Sequence, residues 1–382
     1  MFKETVDFIR NIYKEETEPI SLHEPRFIGK EKEYLNDCID STYVSSVGKY
    51  VNLFEDKIKE LTGANYAIAS SNGTSALHLS LILAGVKPGD LVITQPLTFI
   101  ATCNSITYLG AEPLFVDVDL KTLGLSAEKL ADFFGKKTVI RVDGFCYHKE
   151  SGKRISACVP MHTFGHPAEI DKIADLCKKY KVALVEDAAE SIGSYYKNKH
   201  TGVFGLLGTM SFNGNKTITC GGGGMIITND EKTAKLAKHL STQAKIPQRW
   251  DFEHDMTGYN YRLPNVNAAL ACAQMEQLDS FIENKRELAL IYNEFFAKTP
   301  FKFVVEPENC KSNYWLNAIL LKDRTERDEF LKFTNDNGVL TRPAWILMNK
   351  LKMFENCVTE NIENSEYIED RLVNLPSSVR VK

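Results

Sequence analysis

The chain has 382 residues, of which 43% are hydrophobic and 25% charged, and its formal net charge is −4. This balance is typical of a globular protein with a large core. The lack of a basic excess argues against nucleic acid as a partner, and the slight acidity argues against electrostatic adhesion to anionic membranes.

Nine cysteines are scattered along the sequence without a Cys-x-x-Cys pair. This pattern favours reduced thiols over a disulfide framework and lacks the spacing of a metal site. The N-terminal residues include several acidic ones and lack the apolar core of a secretory signal, and no uncharged run approaches the roughly 18 apolar residues of a membrane span. We therefore expect a cytoplasmic protein without a bound metal ion.

The spacing of apolar residues predicts an N-terminal helix over 2–16, two more helices before residue 62, and then alternating strands and helices. The predicted strands are 66–70, 91–95, 113–118, 155–161, 182–186, 208–212 and 225–228. The predicted helices between them are 74–85, 99–109, 126–135, 169–180 and 231–245. This alternation predicts an α/β fold with a mainly parallel seven-stranded sheet, which binds ligands at the carboxyl ends of its strands.

Two segments depart from that alternation. Residues 141–154 are predicted to form a polar hairpin or excursion, and a long helical pattern begins at Asn265 and runs past Ile291. The helical pattern leads to a predicted strand over 314–321 and a helix over 326–335. We predict a large domain with its N-terminal segment over 1–264, followed by a linking helix and a smaller α+β domain over 265–382.

Lys216 lies between a strand-like segment and the run Gly221 to Gly224. Four consecutive glycines are best explained by close approach of the backbone to another backbone or to a ligand. A lysine held on such a connection is a candidate amine nucleophile toward a carbonyl group. The alternative is an ordinary solvated surface charge.

Residues 70–85 have the pattern of a strand, a tight turn and a helix. The backbone N–H groups of Gly73, Thr74 and Ser75 at the start of that helix form a candidate anion site suited to a phosphate. An ordinary N-capped turn has a similar sequence, so this motif alone leaves both interpretations open.

A nearly continuous apolar strand ends on Glu186 and Asp187, which predicts that one carboxylate projects from the carboxyl edge of the sheet. A buried aspartate there can keep a heterocyclic nitrogen protonated, although a cap or turn residue is the alternative. Together, a phosphate cradle, such an aspartate and Lys216 are the parts needed to hold pyridoxal 5'-phosphate (PLP).

The motifs SSNGTSAL, VEDAAES, SFNGNKTITCGGGGMIIT and GYNYRLPNVNAAL occur in this order. They resemble those of the DegT/DnrJ/EryC1/StrS family, the fold-type I PLP-dependent nucleotide-sugar aminotransferases, over essentially the full chain. Within that family, three further segments resemble the LegC-like group: HEPRFIGKEKEYL, STYVSSVGKYV and TRPAWILMNKLKMF.

The resemblance implies that Lys216 forms a Schiff base with PLP and later moves a proton, and that Asp187 pairs with the pyridine nitrogen. It also assigns further cofactor contacts: the phosphate would be bound by Thr74, Ser75 and Ser211, the ring would stack on Phe99, and Asn260 would reach the phosphate of the partner subunit. The last contact implies a homodimer with shared sites. The alternatives are a core position for Phe99 and an ordinary turn for Asn260.

Glu190 departs from the family pattern, since many relatives carry Gln or His three residues after the aspartate. A neutral donor can hydrogen-bond the phenolic oxygen of the cofactor, whereas an ionised carboxylate repels it unless protonated or paired. Glu190 is therefore a candidate cofactor contact whose role stays open at this point.

The nucleotide sugar requires cationic groups for its diphosphate and a flat surface for its base. The candidate substrate residues are Ser45, Ser46, His162, His166, Arg249, Trp250 and His254.

The resemblance implies a two-step reaction in which L-glutamate converts PLP to pyridoxamine phosphate (PMP), and PMP aminates C4 of a nucleotide-linked 4-keto-6-deoxy sugar. We expect a UDP-linked N-acetylated 4-keto hexose and a role in a bacterial surface glycan such as lipopolysaccharide or capsule. One alternative is a sugar dehydratase, but such relatives replace the lysine with histidine, so Lys216 argues against it. The other is a non-catalytic PLP-binding regulator, which need not retain Lys216, Asp187 and the cradle together.

Overall fold

The computed structural model of the protein describes residues 1–380. Over this range the helices are α1 (Phe2–Tyr13), α2 (Glu31–Asp40), α3 (Lys49–Thr62), α4 (Gly73–Leu83), α5 (Ile100–Thr107), α6 (Ala127–Lys137), α7 (Ile170–Tyr180), α8 (Glu231–Ser241), α9 (Asn265–Met275), α10 (Leu278–Phe296), α11 (Arg324–Asp336) and α12 (Glu363–Glu369). Short 3-10 turns occur at Thr163–Gly165 and Met348–Lys350.

The first strands in chain order are β1 (Tyr66–Ser70), β2 (Leu91–Thr94), β3 (Glu112–Phe115), β4 (Thr138–Ile140), β5 (Cys146–His148), β6 (Arg154–Val159), β7 (Ala183–Asp187), β8 (Tyr195–Tyr196) and β9 (Lys199–His200). They are followed by β10 (Leu207–Ser211), β11 (Gly224–Thr228), β12 (Lys245–Ile246), β13 (Glu253–His254), β14 (Lys302–Phe303), β15 (Cys310–Lys311), β16 (Asn317–Leu320), β17 (Arg342–Pro343) and β18 (Leu372–Leu375).

The seven predicted strands lie in one sheet in the order β1-β11-β10-β7-β6-β2-β3. The pairs from β10 to β3 are parallel, whereas β11 is antiparallel to both of its neighbours. The excursion at 141–154 is a hairpin of β4 and β5, and β5 also pairs with β6. The predicted α/β architecture is confirmed, with this hairpin as an addition.

Both faces of the sheet are buried, as the near-continuous apolar strand sequences predict. Alternate residues point to opposite faces: Ile226 packs in the cluster that includes α4 and α8, and Ile227 packs in the cluster that includes α3 and α9. Helices α6 and α7 cover the β2, β3 and β6 region on a third cluster. The carboxyl ends of the parallel strands stay free to form a site.

A four-stranded antiparallel sheet of order β14-β16-β18-β17 forms the centre of the C-terminal part. Its apolar cluster also takes in the N-terminal helix, since Val6 and Ile9 pack with Phe330 and Val373. The division of the chain at residue 264 stays a prediction.

The prediction of one continuous long helix from Asn265 is wrong in its continuity, because the chain forms two helices, α9 and α10, with a break between them. The N–H of Gln277 donates to the carbonyl of Gln274, three residues back, which tightens the backbone at this point. The side chain of Gln274 also binds Arg26 O and Glu31 Oε1, which fixes the break against the N-terminal segment. No helix in residues 1–380 is long and apolar enough to cross a membrane.

Candidate active site

The carboxyl ends of β7 and β10 and the N-terminal ends of α4 and α5 surround a cavity of about 320 Å³. Most of the predicted cofactor residues line it together: Gly73, Thr74, Phe99, Asp187, Glu190, Ser211 and Lys216. Residues far apart in the sequence therefore meet at one edge of the sheet, as expected for a parallel α/β fold.

Lys216 lies on the connection between β10 and β11, and its side chain is only 12% exposed. Its Nζ is 4.0 Å from the ring centroid of Trp315 and 3.5 Å from Glu190 Oε1. Trp315 is held in turn, since its Nε1 donates to the carbonyl of Asn215 at 2.7 Å. The amine is thus confined between an aromatic face and a carboxyl group.

The glycine run brings β11 against the turn before α4. A Cβ on Gly224 would lie 2.3 Å from the carbonyl oxygen of Asn72, so no other residue fits this position. A Cβ on Gly73 would lie 2.7 Å from Ser211 Cβ, which shows how closely β10 also approaches. These contacts place the hydroxyl of Ser211 beside the start of α4.

The start of α4 offers two free donors rather than the three predicted. Across the described chain, no hydrogen bond uses the backbone N–H of Gly73 or Thr74. The N–H of Ser75 is already taken by the Asn72 side chain at 2.8 Å, and the Ser75 hydroxyl bonds the neighbouring turn. Ser75 is therefore a helix-cap residue, and the candidate anion site is reduced to Gly73, Thr74 and Ser211.

Asp187 ends β7 and is 5% exposed. Its Oδ2 accepts from the Thr102 hydroxyl at 2.8 Å and its Oδ1 accepts from the Ala189 N–H at 3.1 Å. Burial raises the pKa of Asp187, and these two hydrogen bonds oppose that change. An aspartate in this environment is best stabilised by a positively charged partner.

Strand alternation separates the two carboxylates at the end of β7. Glu186 is fully buried and accepts from the N–H groups of residues 202, 204 and 205. His162 is also fully buried, with its Nε2 3.2 Å from Glu186 Oε2 and its Nδ1 accepting from Ala168 N–H. The prediction of His162 as a sugar contact is therefore not supported, because both ring nitrogens bind the protein interior.

The sequence profile of the DegT/DnrJ/EryC1/StrS aminotransferase family matches residues 26–382. The chain belongs to this family. It is similar to the GDP-perosamine synthase of Escherichia coli O157:H7, with 38% identity over 361 residues that cover 94% of this chain and 93% of that protein. The GDP-perosamine synthase of Vibrio cholerae is 35% identical and covers 94% of both chains. The aminotransferase TlmJ from Streptoalloteichus hindustanus has a TM-score of 0.86, 25% identity and 95% coverage of each chain.

Aminotransferases of the DegT/DnrJ/EryC1/StrS family depend on PLP, so this protein is a PLP-dependent aminotransferase. The cavity fits that group: two free N–H donors with the Ser211 hydroxyl suit a phosphate, Asp187 suits a cationic ring nitrogen, and Lys216 is the amine. When bound, PLP supplies an aldehyde that takes up an amine and a protonated ring that withdraws electrons from the reacting carbon.

Glu190, the departure from the family pattern, is 3% exposed and accepts from two donors. Its Oε2 accepts from the Phe164 N–H at 2.9 Å, and its Oε1 accepts from Lys216 Nζ at 3.5 Å. Phe164 has a φ of 56°, a left-handed conformation that is unusual for an aromatic residue. Burial raises the pKa of Glu190 to about 7, while Lys216 acts in the opposite direction. Glu190 can therefore hold a proton near neutral pH.

Glu190→Gln should change how stability depends on pH in the cofactor-free protein. A carboxyl whose pKa is raised by burial from 4.5 to about 7 contributes stability that is present below pH 4.5 and is lost as the pH rises through 7. The loss amounts to about 3 kcal/mol. Urea unfolding at pH 4.5 and pH 8 should show that the wild type loses about 3 kcal/mol more than Glu190→Gln.

The exposed carboxyl of Glu294 provides a control, since Glu294→Gln should follow the wild type at both pH values. Equal pH dependence of the wild type and Glu190→Gln would show that Glu190 is ionised like a surface carboxyl.

The remaining predicted residues lie outside the cavity of this chain. Asn260 is exposed and accepts from Arg262 Nε at 3.2 Å, and Ser45 is exposed on the loop before α3. His166 is fully buried, and burial lowers its pKa to about 4, so it is a core residue. The others are Ser46 on the same loop and Arg249, Trp250 and His254 on or beside the exposed β12–β13 ribbon.

The sequence analysis did not identify three residues that shape the cavity: Thr102, Trp315 and Trp345. Thr102 follows the predicted Phe99 by one helical turn, so the helix period was the signal for it. No local pattern connects the two tryptophans with Lys216, because they lie in the C-terminal part of the chain. Phe99 is 49% exposed, and its ring centroid lies 6.4 Å from that of Trp345.

Proposed function

We propose that the protein transfers the amino group of L-glutamate to C4 of a GDP-linked 4-keto-6-deoxy sugar. The observation that carries this proposal is Lys216, an amine confined beside Asp187 and a phosphate cradle, in a chain that is similar to the GDP-perosamine synthases of Escherichia coli O157:H7 and Vibrio cholerae. GDP-perosamine is a GDP-linked 4-amino-4,6-dideoxymannose, so its precursor by amination is the corresponding 4-ketone.

The proposed nucleotide is GDP rather than the UDP expected from the sequence. The two GDP-perosamine synthases are 35% and 38% identical to this chain over nearly its full length. This similarity supports GDP more strongly than the short LegC-like segments support UDP. The LegC-like likeness and the role in a surface glycan stay predictions.

In this proposal the residues that line the cavity have separate roles in proton transfer, charge stabilisation and phosphate binding. Lys216 Nζ carries a proton between the two carbon atoms that exchange the amino group. The Asp187 carboxylate stabilises positive charge on the ring nitrogen. The Thr102 hydroxyl keeps this carboxylate oriented through its hydrogen bond to Oδ2. The Gly73 and Thr74 N–H groups with Ser211 anchor the phosphate.

We also propose that the protein is a homodimer in the cytoplasm. Asn260, Arg249 and Trp250 are exposed and lie away from their own cavity, so a partner subunit could receive them. The loop before α3 adds exposed apolar surface at Tyr43 and Val47, and the side chain of Val47 is 70% exposed. Such surface supports association with a second copy.

The proposal is tested with protein loaded with PMP and mixed with 4-keto-6-deoxy sugars linked to GDP, UDP or dTDP. Conversion of PMP to PLP appears in the visible absorbance, and mass spectrometry identifies the amino sugar. We expect the GDP sugar to react with a kcat/KM at least about 100-fold above the others, the ratio that a difference of about 3 kcal/mol in transition-state binding produces. GDP-mannose, which lacks the ketone, is the control. Preference for the UDP sugar would overturn the assignment of the nucleotide, and no reaction with any sugar would overturn the proposal.

A further inference from the structure

A second cavity of about 420 Å³ adjoins the cofactor cavity. The two share Asn215, Trp315 and Trp345 as a common wall. The second cavity is otherwise lined mainly by apolar residues, with Arg342 as its permanently charged group and no carboxylate among the described residues. The cavity next to the reacting amine is therefore suited to an anionic group.

Arg342 is exposed, and two hydrogen bonds hold its guanidinium without neutralising its charge. Its Nη1 donates to Asn335 Oδ1 at 2.9 Å and to the carbonyl of Thr341 at 2.8 Å. Within residues 1–380, no acceptor bonds the Nε or Nη2 of Arg342, and no carboxylate pairs with its guanidinium. The Nε–Nη2 edge is the side of a guanidinium that binds a carboxylate through two parallel hydrogen bonds.

Asn374 lies opposite Arg342 in the pairing of β17 with β18 and lines the same cavity. It is 3% exposed, and its Oδ1 has no hydrogen-bond partner in the part of the chain that the structure describes. A buried polar atom without a partner is costly and points to a missing ligand or water. Arg342 therefore supplies free N–H donors to this cavity, whereas the Asn374 Oδ1 is an acceptor that calls for an N–H or O–H donor such as a water.

We propose that Arg342 binds the γ-carboxylate of L-glutamate and so selects the amino donor. This inference rests on the proposed function, in which L-glutamate is that donor. The α-carboxylate is one bond from the reacting carbon and stays in the cofactor cavity. The γ-carboxylate is three bonds away, and in this proposal it extends past Trp315 and Trp345, which line both cavities, toward Arg342.

The charge balance favours a carboxylate over the diphosphate of the sugar nucleotide. One guanidinium matches the single charge of a carboxylate and binds it through two parallel hydrogen bonds, whereas a diphosphate carries at least one further negative charge for which the lining of this cavity offers no second permanent cation. His23 adds no positive charge, because burial and the adjacent Lys285 hold its pKa well below its usual value.

The test measures the first half-reaction alone, from the loss of PLP absorbance when the holoenzyme is mixed with L-glutamate or with its neutral isostere L-glutamine. Arg342→Gln should raise the half-saturating concentration of L-glutamate by about 10- to 100-fold, the range for a lost charge-assisted hydrogen bond. L-Glutamine should change by less than about 3-fold, since its amide does not form the ion pair. Arg342→Lys, which keeps the charge but not the two-point geometry, should fall between wild type and Arg342→Gln.

Arg371→Gln is the matched control, because Arg371 also lies in the C-terminal part, pairs with no carboxylate in the described residues, and its guanidinium donates to the carbonyl of Tyr367 at 3.2 Å and lies over that ring. It should behave like the wild type with both donors. The second half-reaction, from PMP with the keto sugar, should be unchanged in Arg342→Gln and shows that the variant is folded.

Equal weakening of L-glutamate and L-glutamine by Arg342→Gln would overturn the inference in favour of a purely structural role. A raised half-saturating concentration of the keto sugar instead would overturn it in favour of a diphosphate site. A wild type that accepts the sugar from PMP but neither donor would overturn only the donor assignment. A wild type that reacts with neither substrate would overturn the proposed function itself.

Discussion

Lys216→Ala is expected to lower the rate of amino transfer by about 10⁴-fold or more. A positioned general acid–base alone supplies up to about 10⁴-fold, and Lys216 is also the attacking amine. Its replacement leaves no other amine in the cavity lining across residues 1–380. Single-turnover conversion of L-glutamate by protein saturated with PLP measures the loss directly.

Two variants separate the loss of the amine from the loss of charge or fold. Lys216→Arg keeps a cation beside Glu190 and Trp315 but has no nucleophilic amine, so it should be about as inactive as Lys216→Ala. The exposed Lys235 provides the control, since Lys235→Ala should react like the wild type. A Lys216→Ala protein with the wild-type rate would remove Lys216 from the chemistry.

Asp187→Asn is expected to lower the rate by about 10²- to 10³-fold, the range for removing one preorganised electrostatic group. Asparagine has nearly the same shape and can still accept one hydrogen bond, so the variant should fold and bind some PLP. It lacks the negative charge that keeps the ring nitrogen protonated. Comparing kcat with PLP affinity, measured by visible absorbance, separates the two effects.

Thr102→Val is the companion variant because it removes the hydroxyl that bonds Asp187 Oδ2 but leaves the carboxylate in place. It should retain more of the rate than Asp187→Asn. Unchanged kinetics in Asp187→Asn would show that the ring nitrogen does not depend on this charge.

The sheet and most of the cofactor cavity could be predicted because their signals are local. Parallel strands buried on both faces have short apolar runs, and the elements between them have helical spacing. The ends of β7 and β10 then meet at one edge by topology alone, which brings Asp187 and Ser211 together.

The rest depends on contacts between distant segments, which no local pattern specifies. Trp315 confines Lys216 across the boundary with the C-terminal part, and Arg342 lies in a cavity that exists only once that part has packed. Ser75 is an exception, because its N–H bonds the side chain of Asn72 only three residues away, so the local sequence already contained the signal for a helix cap. His162 was predicted as a sugar contact, but it bonds Glu186 instead. That contact depends on the side of the sheet to which the Glu186 side chain points.

The most direct test of the account is to identify the lysine that holds PLP. The rival is Lys285, which is fully buried and whose pKa burial lowers to about 7. Its Nζ, however, lies against His23 Nε2 and the carbonyl of Trp315 and does not line the cofactor cavity. Reduction of the holoenzyme with borohydride, followed by proteolysis and mass spectrometry, should find the cofactor on the peptide that contains Lys216. Cofactor on Lys285, or on any lysine other than Lys216, would exclude Lys216 as the lysine that binds PLP.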